Sequence, residues 1–205
     1  MKNKNIVLII SLALVVISIA VLILINKPAN DETPVVEVYG EKLYQKDIDN
    51  SLDNAKKSYE NGIKQIDEAG LDQDYANQLK NQLKENYESK NKDTIVNEWL
   101  EKIIVSKKAE ELGYKQDLSV AREKAEEQMT SILKTSPNFL VENGVTQSEC
   151  IEGLIYAQQM TEAYDLVNKH FENNFYDKKS TKSLDDQMKQ YINELIDKSN
   201  VKYYK

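Results

Sequence analysis

Two short stretches have the spacing of known catalytic or metal-binding motifs. Ser131 and Lys134 match the Ser-x-x-Lys spacing of serine acyl enzymes, but the Ser-Asp-Asn and Lys-Thr-Gly elements that accompany it are absent from the sequence. Asp72 and Asp74 start like a calcium-binding loop, but the glycine and the distal glutamate of such a loop are missing from their positions. Four residues at helical spacing match the first motif easily by chance. Neither stretch therefore predicts a site.

The single cysteine and the single histidine are the remaining candidates for chemistry. Cys150 is predicted in the first turn of a helix, where the helix dipole favours a thiolate, but Glu149 and Glu152 flank it and oppose that charge. We expect a small cysteine facing the core, and no disulfide is possible within the chain. His170 is predicted near a helix C-terminus, where its charge is favourable. With no second histidine and no glycine-rich phosphate loop, the sequence predicts no metal, no cofactor and no enzyme.

Apolar helix surface is what remains. Methionine and aromatic side chains adapt to varied sequences, so a groove lined by them suits unfolded polypeptides. The candidate peptide-binding residues are Trp99, Ile103, Met129, Tyr156, Met160 and Tyr164. The alternative is that these residues pack the core, which is the more common role for each of them taken singly. A groove would then be formed by the surface left exposed after packing.

Ile6 to Ile25 is a run of twenty residues without a charge, which matches the length of a membrane-spanning helix. A cleaved signal peptide is the alternative, but the run lacks a small-x-small cleavage site and continues directly into Asn26. We favour a retained anchor over residues 1–27. Lys2 and Lys4 precede the run, so the N-terminus is predicted to be cytoplasmic and the rest of the chain extracytoplasmic, at the cell membrane.

The charge of the rest of the chain excludes some partners. Residues 1–27 hold three lysines and no acidic residue, so residues 28–205 carry 24 basic and 34 acidic side chains, a net charge of −10. This charge disfavours nucleic acid and an anionic lipid surface as partners. Residues 28–34 are polar and contain two prolines, which is typical of a linker. One mainly helical domain is predicted over residues 35–205.

Periodicity predicts the elements of this domain. Val36, Val38 and Leu43 alternate with polar residues around Gly40, as in a strand that ends in a tight turn. Apolar stripes predict a possible helical hairpin over residues 45–92, either projecting as a binding element or solvated without a partner. Further helices are predicted at Asp93 to Gly113, Leu118 to Lys134, Thr146 to about Phe171, and Leu184 to Lys198. Asp93 is predicted to cap its helix and Thr146 to form a capping box with Glu149.

The two ends of the domain are predicted to form one small sheet. Val201 to Tyr204 alternates like a strand, and pairing it with the strand near Val36 would satisfy the backbone groups of both. The stretch Val36 to Asp49 resembles the entry motif of the SurA N-terminal domain family, extracytoplasmic chaperones of the SurA and PrsA kind. The stretch from Asn97, NEWLEKIIVSKKAEELGYKQD, and the C-terminal stretch YINELIDKSNVKYYK are similar to the family's core helix and to its last helix and strand.

The resemblance implies a chaperone module without an isomerase. In many relatives a parvulin prolyl-isomerase domain precedes the final helix, whereas this chain has only about a dozen residues, Asn173 to Ser183, at that position. A domain rarely has fewer than about 50 residues. We expect a membrane-anchored protein that holds unfolded or secreted polypeptides, and as the alternative an adaptor for one envelope or surface partner.

Overall fold

The structure, a computed structural model, describes residues 34–204. The predicted anchor Ile6–Ile25 and residues 28–33 of the predicted linker lie outside the described residues. Residues 34–204 form seven helices and a three-stranded sheet, so the mainly helical class is confirmed. Within this range, no helix combines the length and the hydropathy needed to cross a membrane.

The predicted pairing of the two ends of the domain is confirmed. Strand β1 (Pro34–Val38) pairs antiparallel with β3 (Lys202–Tyr203), and Val36 lies opposite Tyr203. The Tyr204 backbone N–H extends this ladder by donating to the Val35 carbonyl at 3.0 Å. Pro34, predicted as the end of the linker, is instead the first residue of β1.

A second strand, β2 (Glu41–Tyr44), was not predicted and pairs with the other edge of β1, so the order is β2-β1-β3. The two-residue connection Tyr39–Gly40 has positive φ at both positions, 53° and 85°, as a type I′ hairpin turn requires. Glycine adopts this conformation freely, but tyrosine does so at a cost. The Tyr39 hydroxyl lies 3.0 Å from Ser199 Oγ, which ties the turn to the C-terminal segment.

Helices α1 (Gln45–Glu68) and α2 (Gln73–Glu88) lie side by side over the predicted hairpin. They approach closely at Gly62, where an added Cβ would lie 2.8 Å from Leu83 Cδ1. The rings of Tyr59 and Tyr87 stack with their centroids 5.0 Å apart. Helix α2 has no buried residue, because it packs mainly against α1.

Helix α3 (Lys92–Glu111) is the central helix and contributes seven buried residues. It begins at Asn91, whose Oδ1 accepts from the Thr94 backbone N–H at 3.0 Å, so the prediction that Asp93 caps it was wrong. Asn91 has the extended backbone that a capping residue needs, whereas Asp93 already lies in the first turn. Gly113, with φ of 90°, follows the end of the helix as predicted.

Four further helices complete the domain: α4 (Leu118–Thr135), the short α5 (Phe139–Asn143), α6 (Gln147–Asn174) and α7 (Leu184–Lys198). The capping box at the start of α6 is confirmed, since Glu149 accepts from the Thr146 backbone N–H at 2.9 Å and Thr146 Oγ1 accepts from the Glu149 N–H at 3.2 Å. Helix α5 was not predicted, and α6 extends three residues past Phe171.

Most of the buried apolar residues among residues 34–204 form three clusters. The sheet cluster joins β1, β2, α1 and α3, and it contains Val36, Val38, Leu43, Ile48, Ile95, Val96, Trp99, Leu100 and Ile104. The α4 cluster contains Ala125, Met129, Ile132, Phe139, Cys150, Ile151 and Leu154. The α7 cluster contains Val105, Ala109, Met160, Ala163, Val167, Phe171, Met188 and Ile192. Helix α6 belongs to the last two clusters and so connects α4 to the rest of the domain.

Candidate functional site

The six predicted peptide-binding residues divide into two groups by burial. Trp99 and Met160 are each 6% exposed and Met129 is 0% exposed, so these three pack the core. Ile103, Tyr156 and Tyr164 are half-buried. The six do not form one groove, because Met129 lies in the α4 cluster while the other five pack in or against the sheet and α7 clusters.

Tyr156 and Tyr164 lie where α6 packs against α3, whereas Ile103 packs against the sheet cluster from another face of α3. Tyr164 donates its hydroxyl hydrogen to Glu101 Oε1 at 2.8 Å, and Ser106 Oγ lies 3.3 Å from Met160 Sδ. Both contacts cross from α3 to α6 and therefore fix the register of the two helices. We call the residues Glu101, Ser106, Tyr156 and Tyr164 the α3–α6 seam.

Partial removal from water governs the electrostatics of the seam. Burial, followed by the hydrogen bond to Glu101, raises the pKa of Tyr164, and burial, followed by the charge of Glu41, raises the pKa of Tyr156. Burial also lowers the pKa of the adjacent Lys102, while the nearby Glu98 opposes this change. The tyrosines thus remain neutral hydroxyl groups at physiological pH. They present apolar rings with polar tips rather than charge.

A second polar contact joins α6 to the α3–α4 connection, and sequence analysis did not find it. Tyr114 donates to Glu162 Oε2 at 2.9 Å, and Gln158 donates to Glu162 Oε1 at 2.9 Å. These donors, Gln158 first, lower the pKa of Glu162. Gln116 Nε2 donates to the Ile155 carbonyl at 3.2 Å. The partners are between 4 and 48 residues apart, and only the Gln158–Glu162 pair has a spacing that signals a helical contact.

An open cavity of about 360 Å³ lies between the β1–β2 turn and the end of α7. Its lining includes Glu37, Tyr39, Ser199 and Lys202. Glu37 accepts from the Tyr204 hydroxyl at 2.7 Å and pairs with Lys202 at 3.2 Å, and these two contacts lower its pKa. The charges of this lining are thus engaged with one another, and they connect the two terminal strands.

The sequence motifs acquire structural roles. Asp72 caps α2 by accepting from the Asp74 and Tyr75 backbone N–H groups, which accounts for its spacing without calcium. Cys150 is buried, and burial raises the pKa of its thiol, so a reactive thiolate is disfavoured. Ser131 and Lys134 are both exposed. Among residues 34–204, no group of three or more His, Cys, Asp or Glu side chains is arranged to hold a metal ion.

No family model matches this sequence, and no curated protein or solved structure matches it.

Proposed function

We propose that this chain is a membrane-anchored extracytoplasmic chaperone-like protein, which holds unfolded or secreted polypeptides without isomerase activity. The single observation that carries the proposal is the α3–α6 seam. Tyr156 and Tyr164 keep accessible surface although they sit on α6, which is held in register with α3 by side-chain contacts. A rigid aromatic surface buries apolar segments of a client with little loss of side-chain entropy. Trp99, Met129 and Met160 are buried in three different clusters and therefore do not belong to the client surface.

The connection before the last helix supports a holding role without isomerase activity. Helix α6 ends at Asn174 and α7 begins at Leu184, so only residues 175–183 lie between them. The SurA-like resemblance places the isomerase domain of many relatives at this point, and such a domain needs far more chain, on the order of 50 residues or more. The paired terminal strands are the second feature that the resemblance implies.

The anchor predicted at Ile6–Ile25 places this surface outside the membrane, with the N-terminus in the cytoplasm. The anchor alone would then keep the holding surface near the site where clients are exported. The net charge of −10 over residues 28–205 keeps complexes with apolar clients soluble.

An aggregation assay tests this proposal. The full chain is placed in nanodiscs, and light scattering measures the aggregation of a reduced, denatured client. We expect suppression, and we expect Tyr156→Ser to weaken it. Val141→Ser is the matched control because Val141 is 85% exposed and lies on α5, in the α4 cluster region. No suppression at several-fold excess of the chain would refute the holding role. Equal suppression by the two variants would show that Tyr156 does not belong to the holding surface.

The alternative is an adaptor for one envelope or surface partner, and the α1–α2 hairpin favours it. Helix α2 has no buried residue and packs mainly against α1. Its half-buried residues Tyr75, Leu79 and Leu83 keep part of their apolar surface accessible. Affinity capture of the full chain from its native membrane distinguishes the two functions. One stoichiometric protein that is lost in a Leu79→Ser variant supports the adaptor, whereas many weakly bound clients support the chaperone.

A further inference from the structure

The C-terminal strand lies beside the point where the chain enters the domain. Val36 lies opposite Tyr203, and the Tyr204 N–H donates to the Val35 carbonyl. Neighbouring strands are about 4.8 Å apart. The tyrosines are therefore within a few ångströms of the first residues of β1, although they are more than 160 residues away along the chain.

The length of chain upstream of β1 limits how far this end of the sheet can be from a membrane. The apolar run ends at Ile25 and β1 begins at Pro34, so eight residues connect them. Eight fully extended residues span at most about 29 Å. The headgroup region on each side of the hydrocarbon core takes up about 5 to 8 Å of that length. With the predicted anchor in place, the Pro34 end of the sheet thus stays within about 21 to 24 Å of the headgroup surface, near enough to reach it.

The side chains at this end suit such a surface. Tyr203 is 65% exposed and Tyr204 is 39% exposed. Tyrosine is enriched at membrane–water interfaces, because its ring is apolar and its hydroxyl finds a polar partner, as the Tyr204 hydroxyl does in Glu37. The two side chains leave opposite faces of β3, as successive residues of a strand do. They therefore flank the edge of the sheet.

The sheet is less acidic than the domain, because Glu37 and Glu41 are balanced by Lys42 and Lys202. Glu37, on the solvent face of β1, pairs with Lys42 on β2 at 4.0 Å and with Lys202 on β3 at 3.2 Å. The solvent face of the sheet thus carries two lysines and one glutamate, whereas residues 28–205 as a whole carry a net charge of −10. Glu37 supplies the single carboxylate of these three side chains, and both lysines pair with it. Contact with lipid headgroups therefore leaves no unpaired carboxylate among them.

We propose that the Tyr203–Tyr204 edge of the sheet rests in the headgroup region of the membrane that holds the anchor. This contact orients the domain and rests on the anchor of the proposed function. A tether alone leaves the domain free to rotate, but a tether beside an aromatic contact fixes which face is turned to the lipid. The α4 cluster shares no residue with the sheet cluster, so α5, which packs in the α4 cluster through Phe139, is expected to stay in solvent.

Tryptophan quenching in reconstituted vesicles tests this contact. The full chain is inserted into phosphatidylcholine vesicles that contain brominated lipid. Tyr203→Trp keeps an interfacial aromatic at the edge, and Val141→Trp is the control on α5. The native Trp99 is 6% exposed and provides the same background in every variant. We expect brominated lipid to quench the emission added by Tyr203→Trp and not the emission added by Val141→Trp.

A third reporter, Asn200→Trp, tests the orientation. Asn200 lies in the turn before β3, two residues from the ladder and towards the β1–β2 turn. We expect its quenching to be weaker than that of Tyr203→Trp. Equal quenching of the Tyr203 and Val141 reporters in chains that float with the vesicles would overturn the contact and leave the anchor intact. Chains that do not float would overturn both, and the aggregation assay reports separately on the holding role.

Discussion

The hydrogen bond from the Tyr164 hydroxyl to Glu101 Oε1, 2.8 Å long, joins the two helices of the proposed holding surface. Tyr164→Phe removes the hydroxyl and keeps the ring, so the packing of the ring against the α7 cluster is retained. A hydrogen bond to a charged group contributes about 1.5–3 kcal/mol to stability. Both residues are half-buried, so water solvates the freed carboxylate. The expected loss is therefore at or below the lower end, about 1 to 1.5 kcal/mol.

Tyr114→Phe is the matched control, because its hydroxyl also donates to a glutamate, Glu162, at 2.9 Å. There Gln158 continues to donate to the same carboxylate at 2.9 Å, so the expected loss is smaller, about 0.5 kcal/mol. Urea denaturation of the fragment of residues 28–205, followed by far-ultraviolet circular dichroism, measures both losses. If both variants had the same unfolding midpoint as the parent, the Tyr164–Glu101 contact would not stabilise the packing of α3 on α6. The proposed rigidity of the seam would then be refuted.

The parent chain and its Tyr164→Phe variant also allow a pH test. Burial and the bond to Glu101 raise the pKa of Tyr164, so the folded chain holds this proton more tightly than the unfolded chain. The resulting stabilisation is complete below the unfolded pKa, about 10, and is lost as the pH rises above it. We expect the unfolding free energy of the parent to fall more steeply above pH 10 than that of Tyr164→Phe. Parallel profiles would contradict the placement of this hydroxyl.

Three further outcomes are expected. Thr146→Ala removes one side of the capping box and should lower the unfolding free energy by about 1 kcal/mol in the same denaturation assay. Gly62→Ala should leave stability within about 1 kcal/mol of the parent, because the gain in helix propensity is offset by displacement of Leu83, and a larger loss would mean that Leu83 cannot move. Cys150 should react with a thiol reagent much more slowly in the folded fragment than in urea, since its thiol is buried and its pKa is raised, and equal rates would contradict the packing of the α4 cluster.

Helix positions were predictable because two independent signals agreed. The apolar period locates α6, and the Thr146–Glu149 box locates its first residue. Where two capping residues stand close together, as Asn91 and Asp93 do, sequence does not say which has the extended backbone, and the prediction failed. Strand β2 was missed because Leu43 is the only one of its four residues that is buried, so it has too little alternation to indicate a strand.

The candidate site was less predictable than the fold. Periodicity shows that Met129 and Tyr156 belong to apolar stripes, but it does not show how much of each a neighbouring helix covers. Met129 is 0% exposed beneath α6, and Tyr156 is half-buried. The contact between Tyr164 and Glu101 joins residues 63 apart, for which a single sequence holds no signal. Burial removes three of the six candidates, and the packing of Ile103 against the sheet cluster leaves Tyr156 and Tyr164 at the seam.

The position of β1 in the middle of the sheet determines how the proposed tether is held. A pull on the chain at Pro34 reaches β1 first, and β1 is paired on one side with β2 and on the other with β3. Removing β1 therefore requires both ladders to break, and it also exposes Val36 and Val38, which are 0% and 1% exposed. An edge strand would lose one ladder only. Under the proposed function, a client bound at the seam would thus pull against the central strand of the sheet, which is paired on both sides.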